Sequence, residues 1–191
     1  LLLLNGLRGA PLHRQELIEI GAAVGSDVPF FLGESTVACV EGRGEVLTTM
    51  IPRTDLMGML VMPPGDGVST REAFGRLDRV REVSDETPRT IEKSRLVAMY
   101  AEPIEQWEFF NDFRAVMGSL ASWYDALDAL VADKPGTFGS VSGSGSAYCI
   151  VSTENEFSEG FRTKMKIMGT NVTIFDIKSL HRAHSGVTVS L

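Results

Sequence analysis

Cysteine is scarce in this sequence, and long apolar runs are absent from it. The 191 residues contain two cysteines, Cys39 and Cys149, and each stands in an apolar run. A disulfide-based scaffold is therefore excluded, and we expect two reduced thiols in a core. No apolar run approaches the ~20 residues that a membrane-spanning helix needs. The sequence thus predicts a globular protein without such a helix.

Positive charge is also in short supply. Lys and Arg number 18 against 25 Asp and Glu, which gives a formal net charge of -7. A non-specific nucleic-acid or membrane-surface binder needs a basic face, so we expect neither partner. The charged fraction of 23% and the hydrophobic fraction of 43% are ordinary for folded domains and exclude disorder over most of the chain. A small anion held by backbone N–H groups is compatible with this charge.

The first residues are typical of the inside of a helix. Four leucines begin the sequence at Leu1, without a methionine or a basic segment before them. A signal peptide carries a basic stretch ahead of its apolar part, so we do not expect one here. We expect instead a helix and a piece of a longer protein.

Hydrophobic patterning divides the chain near residues 50–55. Before this boundary, residues 15–24 predict a helix. Its apolar face would contain Leu17, Ile20 and Val24, and the glycine that follows predicts its end.

A proline follows this first predicted helix. Pro29 disfavours helical backbone at the preceding residue, so residues 26–29 predict a corner that leads from helix to strand. Two strands are then expected, over residues 36–41 and 44–49, with a glycine-rich turn between them.

Beyond residue 55, apolar runs alternate with helical stripes. We expect strands over residues 56–62, 147–151, 172–177 and 187–191. Helices are predicted from a cap at Ser69 completed by Glu72, over residues 91–110 with a break near Pro103, over residues 116–130, and over residues 157–168. The polar residues 81–90 predict a loop. Strands spread among helices, with an antiparallel-looking C-terminal pair, favour an α+β open-faced sandwich over a doubly wound sheet.

Residues 141–147 (VSGSGSA) form the strongest local feature and precede a predicted buried strand. Gly143 and Gly145 permit positive φ and close backbone approach, and Ser144 lies between them. Successive N–H groups in such a loop can form a nest that binds an anion. A flexible turn without a ligand is the alternative. The Walker A and Rossmann glycine patterns are both absent.

Asp27 stands in the predicted corner among valine, proline and phenylalanine residues. A carboxylate in such surroundings is unfavourable unless it is paired or used, and it could serve as a general base toward a hydroxyl. The alternative is a structural aspartate that bonds the N–H groups of the corner as an Asx turn.

Two further polar patterns have simple interpretations. Asn111 heads residues 111–113 (NDF) and predicts an N-cap ahead of the long helix. His181 and His184 lie three residues apart with no cysteine or carboxylate partner nearby, so no metal site is expected there.

Several motifs occur together in one order. They are residues 25–32 (GSDVPFFL), 42–45 (GRGE), 64–65 (PG) followed by Ser69, Thr70 and Phe74, 111–113 (NDF), and 142–147 (SGSGSA). This combination resembles the GHMP kinase superfamily and, within it, the family that phosphorylates 4-diphosphocytidyl-2-C-methyl-D-erythritol. The resemblance covers nearly all 191 residues.

The resemblance implies a fold and an activity. Residues 1–54 would be the C-terminal part of the ATP-binding N-domain, and residues 55–191 a ferredoxin-like domain that completes the cleft. The enzyme would be cytoplasmic and belong to non-mevalonate isoprenoid biosynthesis. It would use ATP and Mg²⁺ to phosphorylate the 2-hydroxyl of a small cytidine diphosphate derivative. The oligomeric state stays open.

The resemblance also implies roles for individual residues. Asp27 matches the catalytic base of the family. Thr70 would lie near the substrate, and Phe74 matches an aromatic that stacks on the cytosine ring; a core aromatic is the alternative for Phe74. The residues that match the motif beside the ATP phosphates are Gly143, Ser144 and Gly145.

Parts of the family site have no counterpart in this sequence. In the family, three parts of the site precede the region that is similar to this chain. They are a glycine- and serine-rich phosphate loop, a lysine that partners the aspartate, and a Tyr-His segment that binds cytidine. We therefore expect the 191 residues to lack kinase activity on their own. Two alternatives stay open. A kinase for mevalonate, homoserine or a sugar needs no aromatic at position 74, and a non-catalytic interaction module of the same fold would not be stabilised by nucleotide.

Overall fold

The computed structural model describes residues 1–33, 35–65, 67–84, 89–154, 157–167 and 173–178. They form two units, the first within Leu1–Pro52 and the second starting at Arg53. In this described part of the chain, no helix combines the length and the apolar composition that crossing a lipid bilayer requires.

The first unit contains three helices and a two-stranded antiparallel hairpin. Its elements are α1 (Leu2–Leu7), α2 (Arg14–Val24), α3 (Val28–Leu32), β1 (Ala38–Glu41) and β2 (Val46–Thr49). The hairpin pairs Cys39 with Thr48 and Glu41 with Val46. The N-terminal helix, the helix that ends at Gly25 and the hairpin are confirmed, although both strands are shorter than predicted.

The buried face of α2 differs from the predicted one. Leu17 is 4% exposed, but Ile20 is 41% and Val24 is 70% exposed, so the prediction is wrong at these last two positions. The buried residues of α2 are instead Leu17 and Gly21. A Cβ on Gly21 would lie 2.6 Å from the Leu32 Cδ1 atom. Helix α3 therefore packs where α2 lacks a side chain.

The predicted corner at residues 26–29 is wrong, because the backbone after Asp27 is helical. Val28 and Pro29 occupy the first two positions of α3. N–H groups in the first turn have no acceptor within the helix, so the missing N–H of proline is harmless there and its fixed φ suits the helix. The preference of a residue before proline for extended backbone is therefore overridden at Val28, because Pro29 favours the first turn of a helix.

The second unit is a four-stranded antiparallel sheet with helices. Its elements are β3 (Met57–Met62), α4 (Thr70–Val83), α5 (Lys93–Ala101), α6 (Ala121–Ala132), β4 (Thr137–Val141), β5 (Tyr148–Ser152), α7 (Glu159–Ile167) and β6 (Thr173–Lys178). The strand order is β4-β5-β3-β6, with every neighbouring pair antiparallel. The predicted α+β class is confirmed.

One face of this sheet forms the core of the second unit. The register places Met59 opposite Ile150 and Val61 opposite Tyr148, and each of these side chains is at most 1% exposed. They share one face because side chains alternate along a strand. Buried residues of α4, α6 and α7 complete the cluster: Ala73, Leu77, Trp123, Tyr124, Leu127, Val131, Phe161 and Met165. Three helices thus cover this face.

Strand β4 was not predicted from the sequence. Its five residues contain a glycine and a serine and lie between two glycine-containing turns. The strand is recognisable by its pairing with β5, in which Phe138 lies opposite Val151. The predicted anion loop is consequently the connection of a β-hairpin.

Several predicted boundaries in the second unit are wrong. Helix α4 continues to Val83, into the predicted loop. The helix predicted over residues 91–110 begins at Lys93 and ends at Ala101, so the predicted break near Pro103 is confirmed, because proline cannot continue a helix. The prediction is wrong after the break, where only a 3-10 turn at Ile104–Gln106 forms. The helix predicted over residues 116–130 begins only at Ala121; two 3-10 turns, Asp112–Val116 and Gly118–Leu120, precede it, and the φ of Gly118 is +54°.

Some predictions fall outside the described residues. These are the strand over residues 187–191, the ends of predicted elements at Met168 and Val172, and His181 and His184. Both cysteines are free, as predicted; Cys39 is buried and Cys149 is half-buried. Burial raises the pKa of the Cys149 thiol, which favours its protonated form.

Candidate functional site

The glycine-rich loop of residues 142–147 connects β4 to β5. Ser142 N–H donates to the Ala147 carbonyl oxygen at 2.8 Å and closes the loop. Within it, Gly145 N–H donates to the Ser142 carbonyl oxygen at 2.9 Å. Gly143 has φ +55° and Gly145 has φ +85°, so the predicted positive φ values are confirmed.

The two glycines of this loop face different surroundings. A Cβ added to Gly143 would meet no atom within 4 Å, whereas one on Gly145 would lie 2.9 Å from the Met117 Sδ atom. Among the described residues, the N–H groups of Gly143 and Ser144 have no hydrogen-bond acceptor. Two adjacent free amides beside open space are the elements of an anion nest.

The first turn of α4 contacts this loop. Ser69 caps the helix by accepting from Glu72 N–H at 3.2 Å, which confirms the predicted cap. The Glu72 carboxylate accepts from Arg76 at 2.6 Å instead of completing the predicted capping box. The hydroxyls of Thr70 and Ser144 then form a hydrogen bond of 3.0 Å. The structure thereby brings together two predicted site residues that are 74 positions apart in the sequence.

Phe74 lies one turn after Thr70 on α4. Its side chain is 50% exposed, so it is not a buried core aromatic. Its ring stands edge-on to that of Phe113, with centroids 4.8 Å apart. Phe113 is partly buried and packs against the core cluster. Thr70, Phe74 and Ser144 therefore lie in one region of the second unit.

Asn111 forms hydrogen bonds both to the glycine-rich loop region and to the start of a 3-10 turn. Its Oδ1 accepts from Phe113 N–H at 2.9 Å, which caps the 3-10 turn at Asp112–Val116 rather than the long helix α6. Its Nδ2 donates to the carbonyl oxygens of Val141 and Gly143, both at 2.8 Å. The predicted cap is confirmed at a shorter element, and the contacts with the loop were missed.

Tyr124 supports the far end of the loop and was also missed. Its hydroxyl donates to the Ser146 carbonyl oxygen at 2.8 Å. The Ser146 Oγ accepts from Val68 N–H at 3.2 Å. Burial raises the pKa of Tyr124 to about 12, although the Arg114 cation partly opposes this shift, so the hydroxyl remains a donor at neutral pH. A buried tyrosine usually has a hydrogen-bond partner for its hydroxyl. A tyrosine within a predicted apolar helix, such as Tyr124, is therefore the sequence signal for a contact of this kind.

Asp27 belongs to the first unit, whereas the loop, Thr70 and Phe74 belong to the second. Its side chain is exposed and forms no capping hydrogen bond to α3. The expected apolar enclosure and the alternative of an Asx turn are therefore both wrong. A Cβ on Gly44, whose φ is +111°, would lie 1.8 Å from the Ser26 carbonyl oxygen. The glycine turn of the hairpin thus packs directly on the backbone beside Asp27.

The described residues contain no group of three His, Cys, Asp or Glu side chains that could hold a metal ion.

Comparisons with known proteins agree with the kinase resemblance that the sequence motifs indicate. No family model matches the chain. It is 38% identical over 117 residues to the 4-diphosphocytidyl-2-C-methyl-D-erythritol kinase of Treponema pallidum (strain Nichols). These 117 residues cover 59% of this chain and 40% of the relative. The enzyme of the same name from Fusobacterium nucleatum is 30% identical over 186 residues, which cover 94% of this chain and 60% of the relative. The chain is a homologue of these kinases.

The solved structures point the same way. A crystal structure of 4-(cytidine 5'-diphospho)-2C-methyl-D-erythritol kinase matches with a TM-score of 0.59 at 18% identity, over 92% of this chain and 60% of that one. The chain therefore has the fold of the corresponding part of that kinase. It spans about 40 to 60% of the length of the curated kinases reported above.

Proposed function

We propose that the protein carrying this chain transfers the γ-phosphate of ATP to the 2-hydroxyl of 4-diphosphocytidyl-2-C-methyl-D-erythritol. Curated relatives at 30 to 39% identity carry the name of this kinase and support the proposal. The observation that carries it is the hydroxyl contact between Thr70 and Ser144, beside the half-exposed ring of Phe74. This contact joins a loop suited to phosphate with the helix that carries an aromatic side chain suited to a base.

The glycine-rich loop would bind phosphate through its backbone. The free N–H groups of Gly143 and Ser144 can donate to phosphate oxygens, and the open space at Gly143 leaves room for them. Phosphoryl transfer depends mainly on positioning and charge neutralisation, and Mg²⁺ bound to ATP supplies part of the latter.

Phe74 would recognise the cytosine ring by stacking. Half of its side chain is exposed, and Phe113 braces the ring from one side. Stacking of a base on an aromatic side chain is worth about 1–3 kcal/mol. The Thr70 hydroxyl lies on the same side of α4, next to the loop, where a substrate hydroxyl or phosphate could accept from it.

Asp27 would accept the proton of the substrate hydroxyl. The resemblance to the family assigns this role, and two observations support it. The carboxylate is exposed, and no capping hydrogen bond to α3 occupies it. A positioned general base contributes roughly 10²–10⁴-fold to such a rate.

A comparison of four alcohol substrates tests the proposal. The full-length natural protein would be incubated with ATP and one alcohol at a time: 4-diphosphocytidyl-2-C-methyl-D-erythritol, mevalonate, homoserine or galactose. We expect ADP release and a singly phosphorylated product with the first compound alone. Turnover of one of the other alcohols instead would assign a different kinase of the superfamily. Absence of turnover together with absence of ATP binding would assign the interaction module.

A further inference from the structure

The side chain of Asn111 uses both of its N–H donors and one of the two acceptor positions of its amide oxygen. The carboxamide oxygen accepts from Phe113 N–H at 2.9 Å, and Nδ2 donates at 2.8 Å to both Val141 and Gly143. Val141 ends β4, and Gly143 lies inside the loop. The two N–H groups of Nδ2 therefore bind backbone carbonyl oxygens on both sides of Ser142. A helix cap requires only the acceptor. The two donor bonds therefore need an explanation beyond capping.

The contacts of Asn111 lie on a closed path through the site. Its acceptor side fixes the backbone of Phe113, whose ring meets Phe74 on α4. One turn earlier on α4, Thr70 bonds Ser144 of the loop. Asn111 thus joins the loop and the aromatic pair directly, and α4 joins them a second time.

We propose that Asn111 is a positioning residue that fixes the glycine-rich loop relative to the Phe74–Phe113 pair. Its amide donors hold the carbonyl of Gly143 away from the open side, so that the free N–H groups of Gly143 and Ser144 face outward. Through Phe113 the same side chain keeps the aromatic surface at a set distance from these amides. Where the protein is a kinase as proposed above, this distance sets how the phosphate at the loop is aligned with the substrate whose base stacks on Phe74.

The choice of residue follows from the number of donors. Aspartate accepts from Phe113 N–H as well as asparagine does, but its ionised carboxylate has no donor and would oppose two carbonyl oxygens. Serine also keeps an acceptor and is too short to reach both carbonyls. Glutamine keeps the amide with one extra methylene. Asn111→Asp and Asn111→Ser therefore remove the loop contacts and leave the cap, whereas Asn111→Gln retains the donors.

Hydrogen exchange tests the positioning role without reference to activity. In the full-length natural protein, we expect Asn111→Asp and Asn111→Ser to speed amide exchange in residues 142–147 by roughly tenfold, since each loses two hydrogen bonds. Asn111→Gln should restore part of the protection. Asn5→Ser is the matched control, because the Asn5 amide bridges the backbone of Leu12 at 2.9 and 3.1 Å in the first unit. The control should leave exchange in the loop unchanged.

Kinetics tests the consequence for the reaction. We expect kcat to fall about 10²-fold in Asn111→Asp and Asn111→Ser, since small displacements of reacting groups have effects of this size. The KM values for ATP and for the alcohol should change much less, and Asn111→Gln should recover part of the rate. Unchanged exchange in the loop overturns the inference, and so does faster exchange with unchanged kcat. Faster exchange in a protein whose wild type lacks kinase activity refutes the proposed function and leaves the positioning role standing.

Discussion

The ring of Phe74 stands edge-on to the ring of Phe113, with centroids 4.8 Å apart and planes at 72°. Half of the Phe74 side chain remains exposed, while Phe113 packs against the core. Edge-to-face contact is a favourable aromatic geometry. Phe113 therefore holds the Phe74 ring in place without covering it, which is the arrangement that a stacking surface needs.

Phe74→Leu tests this surface. Leucine keeps the apolar volume but stacks poorly on a base. We expect the KM for the cytidylated substrate to rise roughly tenfold, in line with the usual strength of base stacking, while the KM for ATP stays nearly constant. The melting temperature should change little because the side chain is half exposed.

Phe161→Leu is the matched control for Phe74→Leu. Phe161 is 6% exposed and stacks on Phe157 in the core. Its replacement should lower the melting temperature and leave both KM values unchanged. The opposite pattern, with Phe74→Leu destabilising and neutral toward substrate, would make Phe74 a structural residue.

Asp27→Asn separates proton transfer from structure. The carboxylate is exposed and caps no N–H group, so its loss should leave the fold intact. We expect kcat to fall roughly 10²–10⁴-fold, because an amide cannot accept the proton. Asp78→Asn, on the exposed side of α4, is the control and should keep full activity. A kcat within a few-fold of the wild-type value would remove Asp27 from the mechanism.

The two loop glycines should respond differently to the same change. Gly143→Ala places its methyl group in open space, so the cost in stability is the positive φ alone, about 1 kcal/mol. That methyl group would occupy the space assigned to phosphate, so the KM for ATP should rise. Gly145→Ala adds a contact of 2.9 Å with Met117 and should cost about 2–4 kcal/mol in stability. Equal effects on the KM for ATP and on stability in both variants would contradict this assignment.

Gly44→Ala tests the support of Asp27. Its Cβ would lie 1.8 Å from the Ser26 carbonyl oxygen, and backbone must move to relieve that contact. We expect a lower melting temperature and a kcat reduced by about tenfold or more, since the displaced segment carries the proposed base. Gly6→Ala in α1 is the control, because its Cβ meets no atom within 4 Å and its φ is not positive. Normal activity in Gly44→Ala would show that Asp27 does not depend on the hairpin.

Stability should fall at alkaline pH through Tyr124. Burial raises its pKa from 10.0 to about 12, and burial also raises the pKa of Tyr148. Because the folded state prefers the protonated phenol, the stability from Tyr124 is complete below pH 10 and is lost as the pH rises toward 12. The shift corresponds to about 2–3 kcal/mol.

Tyr124→Phe isolates this effect. Denaturant unfolding at about pH 8 and about pH 11 should show a smaller loss of stability in the variant than in the wild-type protein. The variant should be less stable at the lower pH, because the Ser146 carbonyl oxygen loses its donor. An equal alkaline loss in both proteins would mean that Tyr124 does not titrate as its burial predicts.

The successful predictions rest on signals that act over a few residues. The Ser69 cap of α4 is a hydrogen bond to a residue three positions away, and the positive φ of Gly143 and Gly145 follows from their own lack of a side chain. Even such local rules fail where two apply at once. Pro29 opposes helix at the residue before it and favours the first turn of a helix, and the packing of α3 against Gly21 accompanies the second outcome.

The α+β class, most helices and strands, the glycine-rich loop with its positive φ values and the resemblance to the kinases all followed from the sequence alone. The tertiary structure alone decided that Asn111 and Tyr124 hold that loop and that Thr70 meets Ser144. These contacts join residues 22 to 74 positions apart. Caps and turns are fixed by neighbours within one helical turn, whereas such distant pairs depend on the register of four strands and on how three helices pack across them. That register arises from the summed burial of the whole core, which no single motif specifies.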